Sequence, residues 1–486
     1  MCGVLGIVGS QPVVDRLIAG ASRLQNRGEQ STRVVTFDGN YFHDHGGLGP
    51  ASLLFFQRDS SDLVGNSGIA HTRYSTSGKS NKQMLLRNIQ PVFSERPGMA
   101  TCSNGDLVNL VSITNKLKKR GFSFQTEVDA KVIQYSLVDR FNKNKLHNAD
   151  NREQYVQRLF KSVEEVQETL VGAYSCLSLT DRGLLAFKDV NGIRPLCMAC
   201  RYDYSGRPIE WAFASETSVF NYFGDYHQIQ EIKAGEAVFV EIDTLKVHRI
   251  ESARAKPAFC FFEYVYFSRP DSRYNGHVVE VVRQRLGEVL ARENSELRER
   301  LDTVVGLPGT AISTGHSFAR AMGLPIKRAI IKVDNKRSFQ ETSIEKRRRA
   351  IDDKFIFIRD FIEGRSLAVV DDSNVRGTTG RKIVARLFDL GAREVHMFYY
   401  SPPIIGPCYY GIDTPDETQL IASGKTIEQV RAEMGCTSVN YISRSGLIEG
   451  LGQAENELCL ACIARKYPTD VAEAQQRLER RKLERE

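Results

Sequence analysis

Leu367-Ala-Val-Val-Asp-Asp-Ser-Asn-Val-Arg-Gly-Thr-Thr-Gly380 decides how the second half of this chain folds. Its apolar, β-branched start reads as a buried strand; the strand ends in two acids, and a Gly/Thr loop then opens a helix. The loop amides, the Thr378 and Thr379 hydroxyls and the helix N-terminus form an anion cradle suited to a phosphate. Asp371 and Asp372 repel such an anion, so they suit sugar hydroxyls and a hydrated Mg²⁺ instead. A lone Asp-Asp pair more often marks a strand-end turn; the Gly/Thr loop behind it is what makes this one specific.

Working outward, the pattern from about Gly276 onward alternates: a long helix from His277 to Arg300, the strand TVVGLP, the helix SFARAMG, the strands KRAIIKV and SLAVVDD, the helix GRKIVARLFDLG, and the strand EVHMFYYS. Alternation of this kind predicts an α/β domain built on a doubly wound parallel sheet. Before about residue 250, short β-branched or aromatic runs dominate: GVLGIVGS, RVVTFDGNYF, SGIAHTRYS, YSCLSLTDRGLLAFKD and EAVFVEID. A few helices interrupt them, notably Pro12 to Asn26 and Asp129 to Phe141, which predicts an α+β domain of mostly antiparallel strands. We place the first domain at residues 2–250, the second at 260–466, and a charged, exposed C-terminal helix at 467–486.

Composition agrees. At 486 residues, 41% hydrophobic and 26% charged, the chain is an ordinary globular sequence too long for one common-sized core. No apolar run approaches the ~18 residues of a membrane helix, and no cationic region precedes the mildly apolar N-terminus. A cytoplasmic protein with no membrane partner is expected. The net charge of +7 is compatible with anionic substrates but too small to argue for nucleic acid. Between Lys327 and Lys354 ten Lys/Arg face five Asp/Glu, including the run Lys346-Arg347-Arg348-Arg349. Taken alone this is a solvated loop.

Ten cysteines in such a chain point to thiol chemistry or metal rather than disulfides. The two CxxC pairs, Cys197/Cys200 and Cys459/Cys462, offer four thiolates for zinc. Cys197 and Cys200 lie in a strand-like run, however, and strand residues three apart face opposite sides, so that pair reads as core filler. Cys2 follows the initiator Met. Removal of Met1 puts an α-amine of ordinary pKa about 7.7–8 beside a thiol of about 8.5, and the amine becomes the base for its own nucleophile.

Cys2-Gly-Val-Leu-Gly-Ile, Leu24-Gln-Asn-Arg-Gly-Glu, His71-Thr-Arg-Tyr-Ser-Thr-Ser-Gly, Asn104-Gly-Asp-Leu-Val-Asn and Asp189-Val-Asn-Gly-Ile-Arg-Pro follow one another across the first half. Together they resemble the class II, N-terminal-nucleophile glutamine amidotransferases, and specifically the amidophosphoribosyltransferase family. The resemblance implies an αββα glutaminase domain followed by a type I phosphoribosyltransferase domain. It implies that Cys2 attacks the glutamine amide, with Asn104 and the Gly105 amide as oxyanion hole. Arg73 clamps the glutamine carboxylate bidentately and Asp129 holds its ammonium. Asp371, Asp372, Ser373, Arg376, Gly377, Thr378 and Thr379 become the phosphoribosylpyrophosphate (PRPP) loop, with Thr310, Asp371 and Asp372 towards Mg²⁺.

The same resemblance turns the basic stretch into a loop that closes over PRPP, with Arg337 in the Arg-Ser-Phe motif and Arg347 to Arg349 against pyrophosphate. It makes Cys260, Cys408, Cys459 and Cys462 the ligands of a [4Fe–4S] cluster. The implied reaction converts PRPP, glutamine and water to 5-phosphoribosylamine, glutamate and pyrophosphate, the first step of purine synthesis. A homo-oligomer, dimer or tetramer, and inhibition by purine nucleotides are implied with it. The chain departs from the family pattern in several places. Asn26 and Ser103 stand for histidines, Arg33 for glycine, Asp106 for asparagine and Lys131 for an acid, while Leu307-Pro-Gly-Thr replaces Val-Pro-Asp-Ser. The stretch before Arg337 is one residue short and lacks a glycine. A paralogue with another acceptor and a non-catalytic PRPP sensor are the competing readings.

Overall fold

The structure is a computed structural model that describes residues 1–56, 61–74, 82–333, 354–414 and 416–483. Gly3–Gly9 runs through the middle of a seven-stranded sheet, antiparallel to Pro208–Ala214 on one side and Ser67–Arg73 on the other. Beyond these lie Cys197–Tyr202 and His227–Glu231, and on the opposite edge Ser31–Phe37 and Phe42–Leu48. A second, six-stranded antiparallel sheet centres on Gly98–Leu107, Gly172–Thr180 and Gly183–Lys188. Val4, Val8 and Ile69 of the first sheet meet Cys102, Leu177 and Leu184 of the second in a buried layer between them.

Helices close both outer faces. Leu17 and Ala21 of Val14–Arg23 pack with Leu5 and Ala70 on the first sheet. Asp129–Lys143 and Arg152–Thr169 cover the second, through Ile133, Leu137, Leu159 and Val163. The result is the four-layer αββα arrangement expected. Arg152–Thr169 adds a helix to those expected from the sequence, and its signals are ordinary. Tyr155, Val156, Leu159, Val163 and Val166 repeat at helical spacing, and Asn151 caps it by accepting from the Gln154 N–H at 3.0 Å. Cys197 faces the helix-side core and Cys200 the layer between the sheets, so the strand does send them to opposite faces.

The second half holds a parallel sheet in the order Thr303–Gly306, Ser366–Asp371, Glu394–Tyr399, Ser438–Tyr441. After Thr303–Gly306, helix Ala311–Met322 carries the chain back to a parallel bridge between Val304 and Ile326 on the strand's outer side. The chain then re-enters on the other side as Ser366–Asp371. The order therefore reverses between these two strands, and a crevice opens at their carboxyl ends, where open α/β sheets bind ligands. Two expectations are corrected here. Ile330–Lys332 pairs antiparallel with Phe355–Phe357, outside the parallel sheet. The long helix divides into Val279–Glu293 and a 3₁₀ segment Ser295–Arg300, with Asn294 in a non-helical conformation between them.

Three devices tie distant parts of the chain together. Phe259–Cys260 pairs in parallel with Leu458–Cys459, tying the two ends of the second half to each other. The C-terminal helix Ala472–Leu483 is docked rather than free: the Glu473 carboxylate accepts from the N–H groups of Val111 and Ser112 at 2.7 and 3.1 Å, at the positive end of helix Leu110–Lys119. The third is a buried charge cluster. Arg27 pairs with Glu216 at 2.9 Å and with both oxygens of Glu263 at 2.9 and 3.0 Å, and Arg194 reaches Glu263 at 3.4 Å, all four side chains being 0% exposed. Burial raises the Glu263 pKa, but Arg27 and Arg194 outweigh it and hold the carboxyl below its usual range. Among the described residues no helix is long and apolar enough to cross a membrane.

Removing one partner of a fully buried pair leaves the other charge uncompensated, at a cost of about 3–5 kcal/mol. Glu263→Gln should therefore lower the thermal midpoint by several degrees, read by calorimetry. An unchanged midpoint would show that the cluster does not hold the halves together.

Candidate active site

Cys2 immediately precedes the central strand of the first sheet, and its backbone is held from two sides. Its N–H donates to Asn104 Oδ1 at 3.2 Å, and its carbonyl accepts from Arg27 Nε at 2.9 Å. The thiol is partly exposed and faces the Tyr74 carbonyl at 3.8 Å. Met1 is itself buried, and burial pushes its amine from 8.0 down to about 6.

Asn104 and Gly105 come from strand Gly98–Leu107 of the second sheet. Asn104 Nδ2 is buried with no hydrogen-bond partner, leaving a donor open beside Cys2. Gly105 has φ +140, and a Cβ there would stand 1.9 Å from the Ala173 carbonyl oxygen, so the position accepts only glycine. Gly28, of the Leu24-Gln-Asn-Arg-Gly motif, lets the main chain press on Arg73: a Cβ at Gly28 would meet the Arg73 carbonyl carbon at 2.3 Å. The buried Arg73 guanidinium donates to the Asn88 carbonyl.

Asp129 opens helix Asp129–Lys143. Its Oδ1 accepts from the Ala130 N–H at 2.9 Å, while Oδ2 is buried without a partner. Burial first, then Asp106 and Cys2, raise its pKa from 3.8 to about 8. A carboxyl so placed waits for a cation. An ammonium ligand needs the ionised form, so binding below about pH 8 must release a proton. Glutamine KM should accordingly fall several-fold as pH rises from 6 to 8, and this trend should vanish in Asp129→Asn. A KM flat across that range in the unmodified protein contradicts the assignment.

Four of the departures noted in the sequence are absorbed by local bonds. Asn26 Nδ2 donates to Glu216 at 2.7 Å and to the Phe267 carbonyl at 3.1 Å, bridging the halves. Arg33 pairs with Asp44 and lies over the Phe93 ring at 4.9 Å. The Lys131 ammonium, pushed by burial to about 8, is committed to the Phe93 carbonyl and Gln134. Asp106 has Arg477 of the C-terminal helix 3.7 Å away.

At the crevice of the parallel sheet, Asp372 accepts from the Thr310 hydroxyl and from the Ser373 hydroxyl, both at 2.5 Å. Burial raises the pKa of both Asp371 and Asp372, and Asp372 adds to the rise at Asp371. Paired acids held this way gain from a divalent cation, so Thr310, Asp371 and Asp372 are a fitting donor set for Mg²⁺. Gly377, at φ +70, ends the loop at the N-cap of Thr378–Asp389, and a Cβ there would strike Ile421 Cδ1 at 2.3 Å. Arg376 is exposed, as are Thr378 and Thr379 at the helix start. A cavity of about 1290 Å³ adjoins this crevice, bordered by Thr310, Arg283, Arg269 and Lys332 of the second half and by Asn26 of the first. Arg337 and Arg347 to Arg349 lie outside the described residues.

Tyr266, in the run Phe262-Glu-Tyr-Val-Tyr-Phe267, is a residue that motif order alone does not single out. Burial raises its hydroxyl pKa first, followed by Asp372, Tyr74 and Asp371. It therefore stands within electrostatic reach of both the thiol's neighbour Tyr74 and the paired acids.

Cys260, Cys408, Cys459 and Cys462 converge from three segments. Cys260 is the register partner of Cys459, and the Cys462 thiol, raised chiefly by burial, feels Cys408, Cys260 and Cys459. Arg194 Nη2 reaches Cys408 Sγ at 3.9 Å, a cation beside thiols that must ionise to bind metal. Among the described residues no three metal-ligating side chains are grouped closely enough to hold a single ion. The donor set nonetheless fits a cluster in kind: four thiols and an adjacent counter-charge.

A glutamine amidotransferase domain model matches residues 80–221. The amidophosphoribosyltransferase of Bacillus subtilis is 34% identical over 480 residues, covering 97% of this chain and 94% of that one. That of Archaeoglobus fulgidus is 35% identical over 485 residues, covering 97% and 98%. The solved glutamine PRPP amidotransferase from B. subtilis, complexed with ADP and GMP, superposes with a TM-score of 0.83 at 32% identity, over 97% of this chain and 98% of that one. Identity of this level over nearly the whole length, with a glutaminase half and a phosphoribosyltransferase half in one order, places the chain in the amidophosphoribosyltransferase family.

Proposed function

We propose that this chain converts glutamine, PRPP and water to glutamate, 5-phosphoribosylamine and pyrophosphate. The observation that carries the reading is the pair of buried, unpartnered atoms beside Cys2, Asn104 Nδ2 and Asp129 Oδ2: a donor where an oxyanion forms and an acceptor for an ammonium. Once Met1 is removed, the Cys2 amine takes the thiol proton and the thiolate attacks the amide carbon of glutamine. The tetrahedral oxyanion is met by Asn104 and the Gly105 amide, a donor of this kind contributing roughly 2.7–4 kcal/mol. Collapse releases ammonia and leaves a thioester on Cys2, which water hydrolyses to glutamate. Arg73 and Asp129 hold the two ends of the amino acid.

Ammonia passes by Tyr266 to the crevice, attacks C1 of PRPP, and pyrophosphate leaves. Ser373, Arg376, Gly377, Thr378 and Thr379 hold the 5′-phosphate, and Asp371 and Asp372 face the ribose hydroxyls. Mg²⁺ bound near Thr310, Asp371 and Asp372 supplies charge neutralisation for pyrophosphate, helped by Arg337. Cys260, Cys408, Cys459 and Cys462 hold a [4Fe–4S] cluster of structural rather than redox role, since no step changes oxidation state. The working form is a homo-oligomer.

Purified protein given glutamine, Mg²⁺ and PRPP without oxygen should release glutamate and pyrophosphate in equal amounts, and Cys2→Ala should abolish both. Glutamate without pyrophosphate would mean a different acceptor; neither product would mean a PRPP-binding regulator.

A further inference from the structure

We infer that Arg194 is a positioning residue for the glutaminase site, joining the cysteine site of the second half to both sides of the Cys2 thiol. Arg194 is fully buried and makes three contacts in three directions. Nε donates to the Tyr410 carbonyl at 2.8 Å, Nη1 pairs with Glu263 at 3.4 Å, and Nη2 meets Cys408 Sγ at 3.9 Å. A planar fork can satisfy all three at once, which an ammonium cannot.

Two of those contacts lead to the catalytic strands. Next to Tyr410 is Gly411, at φ +97, whose main chain lies so close to Gly105 that a Cβ there would stand 2.9 Å from the Gly105 carbonyl carbon. Fixing the Tyr410 carbonyl thus fixes the segment packed on the oxyanion glycine. On the other route, Glu263 is shared with Arg27, and Arg27 Nε holds the Cys2 carbonyl. The third contact, to Cys408, brings the state of the cysteine site to the same guanidinium; Tyr410 N also donates to Cys408 Sγ at 3.4 Å. Arg73 and Asp129, which grip glutamine, make no bond in this chain of contacts. A disturbance at Arg194 should therefore misplace nucleophile and oxyanion donor while leaving substrate binding nearly intact.

The inference rests on the glutaminase reading above, but its test does not depend on turnover. Two variants, Arg194→Gln and Gly411→Ala, are compared with the unmodified chain for alkylation of Cys2 by iodoacetamide, followed by mass spectrometry of the N-terminal peptide, and for glutamine kcat and KM. We expect Cys2 alkylation and kcat to change by tenfold or more with KM within about threefold, and Arg194→Lys to recover little. Should Arg194→Gln fail to fold, Gly411→Ala carries the same expectation from the other end of the contact. Alkylation within twofold of the unmodified chain overturns the inference, as does a rise in KM at constant kcat. An unmodified protein with no glutaminase activity sinks the functional reading, while the alkylation ratio still decides the role of Arg194.

Discussion

Everything in this molecule that bears on chemistry depends on one buried ion pair, Arg27 with Glu263. Arg27 belongs to the glutaminase half and holds the Cys2 carbonyl; Glu263 belongs to the segment that opens the phosphoribosyl half. Buried charges are costly unless paired and hydrogen-bonded, and here two arginines face two glutamates with every side chain at 0% exposure. The nucleophile's strand and the start of the second domain are thus fixed relative to one another by a contact that neither half can satisfy alone. The second half is not an appended module; it completes the first.

That constraint explains why the remaining site features sit where they do. Asn26 reaches across to the Phe267 carbonyl, Gly411 lies on Gly105, and Tyr266 feels both Tyr74 and the paired acids. The reversal of strand order between Thr303–Gly306 and Ser366–Asp371 then brings Thr310 and Asp372 together at the crevice. Thr310 and Asp372 are set on loops at the ends of the parallel sheet, while Asn104 lies on a strand and Asp129 at a helix start.

Much of this was legible in the chain itself. Leu367 to Gly380 announced its strand, acids and anion loop because hydrophobicity, charge and glycine each change within a few residues. Cys2, Asn104 and Asp129 were found through motif order, since nothing in local patterning distinguishes a catalytic asparagine from a buried one. Helix Arg152–Thr169 has clear periodicity of its own but lies between strand-rich stretches that obscure it. The break after Val279–Glu293 and the antiparallel pairing of Ile330–Lys332 came from tertiary context, where neighbouring elements override local propensity. Arg194 and Glu263 could not have been read from sequence. Their meaning comes from partners far away along the chain, and a buried arginine looks like any other until its contacts are known.

The central claim is that two sites held together by Arg27 and Glu263 pass ammonia internally. The most direct test supplies glutamine labelled with ¹⁵N in the amide, PRPP and Mg²⁺, in buffer containing excess unlabelled ammonium. The nitrogen at C1 of the product should carry the label almost completely. Product nitrogen matching the unlabelled pool would mean that the two sites exchange ammonia through solvent, and the coupling described here would be wrong.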